Sequence, residues 1–513
     1  MTNHTIETVR ALLDDCAEKY GKKTFLKFFR DGFVESRSFL ETRTDALAVC
    51  RWIRSLNPQR MHVAFVAKTS YEYIICMTGI LISGNVGIPL SPEISAEEAA
   101  ILMKRADVDM LLYDDTFADK AADAAKGANL LFSVDIGDAA SFEHIYYAYG
   151  DDSEYASLSD IQVDPDAAAV MIYTSGTTGV KKAVMLSSKA LVGNIMYHDY
   201  ITDVFRPNDV ALSVLPMYHV YSFTGDYLKN MKDGLQVALN GDLRYMTANL
   251  LRFEPRVIRV VPMIAQTLLR CVRAVHHRNP HLTAPEAARL VFGRNIKWLI
   301  SGGAYLPPRL IEEYEQLDIY LRQGYGMTEA GCRISVPDPD ADKSSVGRVI
   351  DICTARVQNG EIQVNTPTKM LGYYKMPQES AKLFTPDGWL RTGDIGRLTE
   401  DGQLFITGRV KNLIILSSGE NVSPEAIEKK FNDVPLIQEV MVYGENDRIV
   451  AEFFPNNDYA EENNIDDIDG ILEALVDEMN KSAKPSHVIA KVKIRREPFE
   501  KTGSGKIKRP RNV

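Results

Sequence analysis

Apolar residues along this chain fall into two rhythms. HVAFVAK (His62–Lys68), VGIPL (Val86–Leu90), MLLYD (Met110–Asp114) and AAVMIYT (Ala168–Thr174) are apolar on successive positions, which marks strands covered on both faces. Val210–Leu215, Val257–Val261 and Trp298–Ser301 extend the series. Between these runs the apolar positions return every three or four residues, as helices packed on a sheet require. Ser95 followed by Glu98 predicts a capping box that opens the helix AEEAAILMKRA. The first two-thirds of the chain thus predict layered α/β structure.

From about Gly347 the rhythm shortens to GEIQV, the turns DGW and EDGQ, and LFITGR. Beyond Arg409, Ser423-Pro424 predicts a helix start, with Ile427 and Phe431 on one face. A hairpin follows (Val440–Tyr443, turn Gly444–Asp447, Ile449–Phe454). Ile468, Leu472, Leu475 and Met479 share a helix face, and Val488–Ile494 reads as a last strand. We expect residues 1–409 to form an N-terminal domain and residues 410–513 a small α+β C-terminal domain, joined near Val410–Lys411.

Composition narrows the classes. With 45% hydrophobic and 25% charged residues, 513 residues can build ordinary cores in more than one domain. A net charge of -10 disfavours nucleic acid and anionic membrane surfaces as partners. The six cysteines have no C-x-x-C spacing, so neither zinc nor a disulfide framework is expected. Neither a signal peptide nor an uncharged run long enough to span a bilayer is apparent, and a cytoplasmic location is expected.

The chemistry concentrates in loops. YTSGTTGVKKAVMLS (Tyr173–Ser187) follows a buried strand and precedes the helical pattern SKALVGNIMYH. Hydroxyls of Thr174, Ser175, Thr177 and Thr178, backbone N–H groups freed by Gly176 and Gly179, and the charge of Lys182 suit a polyphosphate. A Walker loop is excluded here, and KTGSGKIK fails the same pattern. GYGMTE (Gly324–Glu329) offers Tyr325 to stack on a base, Thr328 for a phosphate and Glu329 for Mg²⁺. TGD (Thr392–Asp394) suits a ribose diol, and GRVKN (Gly408–Asn412) and KTGSGK follow. Taken alone, the Tyr173–Ser187 string favours phosphate over a plain turn, whereas each of the later strings is equally a surface turn.

Together and in this order, from SGNVGIPLSP (Ser83–Pro92) to Lys506, the strings resemble the adenylate-forming superfamily of acyl-CoA synthetases, nonribosomal-peptide adenylation domains and firefly luciferase. The resemblance implies a large N-terminal domain of two α/β layered sheets with a small β-barrel, and a small mobile C-terminal domain. It implies activation of a carboxylic acid as an acyl-AMP with ATP and Mg²⁺, then transfer to coenzyme A, or alternatively to a carrier protein's phosphopantetheine. By resemblance Thr174, Ser175, Gly176, Thr177, Thr178, Gly179 and Lys182 hold the phosphates. Lys181 and Ala183 stand where the family usually has Pro and Gly, and Lys181 adds a cation beside the phosphates. Gly302, Gly303 and Ala304 line the adenine, and Tyr325, flanked by Gly326 and Met327, stacks on it. Thr328 touches the α-phosphate, Glu329 the Mg²⁺, and Asp394 with Arg409 the ribose. LPMYHVYSF, ending at Phe223, brings His219 beside the carboxylate pocket. Lys506 neutralises the reacting anions, and the remainder of KIKRPR reads as a solvated basic tail. Lys411 marks the hinge, and Ser418 and Gly419 the thiol tunnel. The resemblance is nearest to bacterial fatty acyl-CoA ligases; an amino-acid substrate is disfavoured because Asp226 follows the histidine too late to meet an ammonium.

Overall fold

The computed structural model describes residues 6–30, 32–137, 142, 145–146, 148–149, 161, 163–174, 180–197, 200–201, 205–416, 420–432, 434–500 and 507–509. Two seven-stranded sheets dominate the N-terminal part. The first runs Gly372–Tyr373, Lys182–Ser187, Ala168–Thr174, Val86–Leu90, His62–Val66, Met110–Tyr113, Phe132–Asp135, and is parallel from Ala168–Thr174 onward. The second runs Tyr320–Gln323, Trp298–Ser301, Val257–Val260, Val210–Ser213, Gln236–Leu239, Thr24–Arg30, Phe33–Ser38, with only the last pair antiparallel. Helices Val9–Tyr20, Phe39–Leu56 and Tyr71–Ile82 share one core with residues of both sheets, including Phe25, Val63 and Phe65. Helix Tyr71–Ile82 is buried almost all round, which is why its sequence is apolar on every face.

Three local expectations change. Ser95 does cap its helix, accepting from the Glu98 N–H at 3.1 Å, but the Glu98 carboxylate pairs with Lys181 at 2.6 Å, so only half of the capping box forms. The chain after the loop expected to hold phosphate first makes the strand Lys182–Ser187 and only then a short helix, Ser188–Gly193. The strands on either side of the loop are antiparallel, with Thr174 opposite Lys182. The C-terminal hairpin is tighter than expected: strands Ile437–Glu445 and Arg448–Pro455 meet at Asn446–Asp447, whose φ values of 52° and 58° fit a two-residue primed turn.

The small β unit consists of two sheets, Tyr325–Met327/Cys332–Val336/Arg348–Val349 and Thr354–Gln358/Glu361–Asn365/Leu390–Leu398/Leu404–Arg409. They wrap a shared core of Ile334, Val336, Ile362, Val364, Leu390 and Leu404, bridged at Arg348–Gln403. The C-terminal unit has a separate core, in which Ile427, Phe431, Val442, Phe453, Leu472 and Val476 close a three-stranded sheet against helices Pro424–Glu428 and Ile468–Lys481. Among the described residues, no helix is long and apolar enough to cross a membrane.

Candidate active site

The hairpin expected to hold phosphate begins with Tyr173, whose hydroxyl donates to the Leu102 carbonyl at 2.6 Å and ties the strand end to the sheet's helical layer. Thr174 is the last described residue before the turn; Ser175, Gly176, Thr177, Thr178 and Gly179 lie outside the described residues. Lys182 is only 8% exposed. Its ammonium reaches Glu379 Oε2 at 2.7 Å and stands 5.0 Å from the centre of the Tyr373 ring. Hydrogen bonds from Lys182 and Lys382 pull the Glu379 pKa down to about 2.

GYGMTE forms a strand (Tyr325–Met327) and then one 3₁₀ turn (Thr328–Ala330), which carries Thr328 and Glu329. Gly326 is obligatory at this bend: a Cβ there would sit 1.7 Å from the Cys332 carbonyl oxygen. The Tyr325 hydroxyl donates to Asp394 Oδ2 at 2.6 Å, and Arg409 Nε reaches Asp394 Oδ1 at 2.7 Å. Asp394 and Arg409 face each other across an antiparallel pair, so the ladder itself brings the TGD and GRVKN strings together. Asp394 is 3% exposed, and its own N–H is held by Thr392 Oγ1 at 3.1 Å. Burial, and then the Asp394 charge, push the Tyr325 phenol well above its usual pKa, so it remains a donor.

Glu329 is 9% exposed and accepts at Oε1 from the Tyr373 hydroxyl at 2.7 Å. Among the described residues its Oε2 has no partner, and no cluster of three or more His, Cys, Asp or Glu side chains could cage a metal alone. That pattern fits Mg²⁺, which commonly takes one or two protein carboxylates and completes its shell with phosphate and water oxygens. Glu329 would hold it, and it would neutralise phosphate charge.

Gly302, Gly303 and Ala304 follow the strand Trp298–Ser301. Gln323 clamps this turn, donating from Nε2 to the Ala304 carbonyl at 2.7 Å while its Oε1 accepts from the Leu306 N–H at 3.2 Å. The Tyr221 ring packs against Gly302, where an added Cβ would lie 3.0 Å away, and the Tyr221 hydroxyl donates to the Ile300 carbonyl at 2.9 Å. His219, two residues before Tyr221, therefore stands at the same corner. It keeps an open edge, yet desolvation by the surrounding protein lowers its pKa below the usual 6.5. The chain then enters a π-helical stretch, Phe223–Lys229, of a kind that tends to mark functional sites and that the sequence did not reveal. Asp226, buried on that stretch, pairs with Arg259 at 3.2 Å and accepts from Ser222 Oγ at 3.2 Å. Its carboxylate is committed inside the protein.

Lys411 sits in the 3₁₀ turn Val410–Asn412, where desolvation and then Arg409 lower its pKa. Among the described residues, polar contacts from Ser423 and Lys429 cross this seam, and Asn412 braces the C-terminal side of it. Ser423 Oγ donates to the Thr407 carbonyl at 2.9 Å, Asn412 reaches Glu425, and Lys429 both donates to the Ile406 carbonyl and stands 4.6 Å from the centre of the Tyr305 ring. Ser418, Gly419 and Lys506 lie outside the described residues. The tail after Lys506 is not simply solvated. Arg509 donates to Glu428 Oε2 at 2.5 Å and to the Val442 carbonyl at 2.9 Å, and Ile507 packs against a cluster of Met441, Phe454 and Phe499. A run of basic residues hid a half-buried partner, Glu428, that only tertiary structure supplies. The contacts of Tyr373 with Glu329 and of Glu379 with Lys182 were likewise not foreseen: MLGYYKMP has no local pattern that ties it to residues far upstream.

Residues 13–374 match the AMP-binding enzyme family, and residues 411–513 match the AMP-binding enzyme C-terminal domain. The long-chain-fatty-acid–CoA ligase of Bacillus subtilis (strain 168) is 25% identical over 491 residues, covering 87% of this chain and 84% of that protein. The 4-coumarate–CoA ligase of Vanilla planifolia is 25% identical over 421 residues, covering 76% and 73%. In fold, the chain is similar to ATP-bound MatB from Rhodopseudomonas palustris, with a TM-score of 0.80 at 22% identity over 97% of this chain and 96% of that one. The anthranilate CoA ligase AuaEII in complex with anthranoyl-AMP gives a TM-score of 0.80 at 17% identity over 98% and 95%. The match over most of the chain, together with the convergence of its separate strings, makes this protein a member of the AMP-binding enzyme family, an enzyme of the adenylate-forming kind.

Proposed function

We propose that this enzyme joins a fatty or other non-amino carboxylic acid to the α-phosphorus of ATP and passes the acyl group to coenzyme A. In the first step a carboxylate oxygen attacks the α-phosphorus, the bond to the bridging oxygen of the β-phosphate breaks, and pyrophosphate leaves. In the second the thiol sulfur attacks the acyl carbon, AMP leaves with the anhydride oxygen, and the thiol proton passes to solvent.

The observation that carries this reading is the Tyr325–Asp394–Arg409 constellation, a buried carboxylate fixed by two donors beside the turn that bears Thr328 and Glu329. Asp394 grips the ribose, Gly302, Gly303, Ala304, Tyr325, Gly326 and Met327 border the adenine, and the Thr174–Gly179 loop with Lys182 and Thr328 takes the phosphates. His219 borders the acid. Lys506 spans the carboxylate and α-phosphate oxygens. The domain boundary falls between Arg409 and Val410, with Lys411 as hinge and Ser418 and Gly419 along the thiol path. A recess of about 520 Å³ beside Val410, Leu413 and Asn421 supports this, since a hinge needs room to turn. The commitment of Asp226 to Arg259 supports an acid without an α-ammonium. The names of the relatives support coenzyme A as acceptor and an aliphatic or aryl acid as donor.

The test is acid-dependent ATP–pyrophosphate exchange across aliphatic and aryl acids, followed by product trapping with coenzyme A and with carrier proteins. We expect exchange with a subset of the acids, thioester formation with coenzyme A, and loss of exchange on the order of 10²–10³ in Lys506→Ala. No exchange with any acid, or an unaffected Lys506→Ala, would overturn the reading. Thioester on carrier proteins alone would move the second step to phosphopantetheine.

A further inference from the structure

Tyr373 touches two arms of the nucleotide site at once. Its hydroxyl donates to Glu329 Oε1 at 2.7 Å, and the Lys182 ammonium stands 5.0 Å from its ring centre. Glu379, on the helix Pro377–Lys382 that follows, holds the same ammonium at 2.7 Å. The phenol is 7% exposed and is anchored from several directions. The strand Gly372–Tyr373 pairs with Lys182–Ser187, placing Tyr373 opposite Val184. The Tyr373 N–H donates to Ser380 Oγ at 2.8 Å, and the neighbouring Tyr374 hydroxyl and Lys375 ammonium both bind Asp107, at 2.6 and 2.7 Å. The ring is thereby carried on the edge of the sheet that bears the phosphate hairpin.

A glutamate carboxylate turns easily about its last torsion, which has broad minima. A donor fixed on one oxygen sets the carboxylate plane and leaves the other oxygen facing outward. A lysine ammonium is equally free on its flexible stem unless a ring face or a carboxylate seats it. We propose that Tyr373 is a positioning residue of the nucleotide site, setting the Glu329 carboxylate through its hydroxyl and seating the Lys182 ammonium on its ring. The proposal rests on the ATP-activating reading above and assigns a role to a segment outside the expected site residues.

The test uses the full chain, with Mn²⁺ as the probe metal, titrated by electron paramagnetic resonance in the presence of ATP. Tyr373→Phe keeps the ring and loses the donor, so Mn²⁺ affinity in the ATP complex falls roughly tenfold, the scale of one hydrogen bond to a charged group. Binding of ATP in excess chelator stays at the wild-type value, because Lys182 retains its ring. Tyr373→Leu removes both, and the metal-free ATP affinity also falls several-fold. In a Glu329→Gln background, Tyr373→Phe adds little further loss of Mn²⁺ affinity, since both changes act through one carboxylate. Thermal midpoints of the Phe variant and the wild type agree, which separates positioning from misfolding. Wild-type Mn²⁺ affinity in Tyr373→Phe, or full additivity in the double variant, would sink the proposal while leaving the enzyme's function intact. Failure of the wild type itself to bind ATP would strike the functional reading instead.

Discussion

In the N-terminal body, the polar groups that matter are held in the interior. Asp394 and Glu329 are buried and fixed by phenol donors, and Gln323 clamps the turn after Ser301. In the C-terminal unit the described interior is almost purely apolar, and polar groups meet the body at its seam, as Ser423 and Lys429 do. Buried hydrogen-bonded charges cannot shift without leaving an unpaired group, which costs several kcal/mol. Seam contacts of the second sort exchange readily with water. On the proposed reading, the body would be preorganised for a fixed nucleotide, whereas the C-terminal unit would change its docking at little cost, as a two-step reaction at one site requires.

The strongest way to break this contrast is Gly326→Ala. Its Cβ would strike the Cys332 backbone, which no rotamer change relieves. A destabilisation of about 4 kcal/mol or more is expected in the body. Denaturant unfolding followed by probes in each part would show the body transition moving to lower denaturant while that of the C-terminal unit stays. Coincident, unshifted transitions would contradict it.

Asp394→Asn sharpens the contrast by separating function from fold. Its Arg409 partner is 44% exposed in its side chain and the amide keeps an oxygen for the Tyr325 hydroxyl, so the fold survives and the melting midpoint falls by less than in Gly326→Ala. Nucleotide binding has no such substitute: kcat/KM for ATP should fall on the order of 10²-fold, two hydrogen bonds to a charged group being at stake. A variant with normal ATP kinetics would remove Asp394 from the ribose site.

Much of this division is legible in the sequence, for a physical reason. Strands covered on both faces must be apolar without interruption, so His62–Val66 and Ala168–Thr174 announce themselves, and turns that need hydroxyls and glycines advertise their loops. Thr24–Arg30 and Phe33–Ser38 stayed hidden because they form an edge hairpin with mixed burial and no clean alternation. Lys182–Ser187 was read through because its short run merges into the next helix. Tyr373 reaches Glu329 across 44 residues and Lys182 pairs with Glu379 across 197, and no local rule encodes contacts at such separations. Arg509 looked solvated for the same reason, since Glu428 lies 81 residues upstream.

At the seam, Lys429→Ala removes the bond to the Ile406 carbonyl and the contact with the Tyr305 ring. Neither part loses core packing, so each should unfold as before. The ratio of adenylate formation to thioester formation should shift by about threefold, the scale of a partly exposed polar contact. Half-reaction assays with acid plus ATP, and with preformed acyl-AMP plus coenzyme A, measure the two rates separately. An unchanged ratio would make this contact incidental to docking.

The smallest expected effect belongs to His219, and it tests whether the body holds the proposed acid-binding corner in the neutral form. Desolvation lowers the folded-state pKa below the unfolded value of 6.5. Between those two values the unfolded chain binds more protons than the folded one, so stability rises with pH across that window. Above 6.5 both states are neutral and this contribution is flat; as pH falls from 6.5 through the folded pKa, the cost of charging the imidazole in the protein appears in full. His219→Asn cannot take up that proton, so the wild type should lose more stability than the variant on acidification below 6.5, and the difference should vanish above it. Parallel unfolding curves for the two proteins across the whole range would mean that the ring charges as freely in the fold as in water, and the corner would then offer the incoming carboxylate a cation rather than a neutral donor.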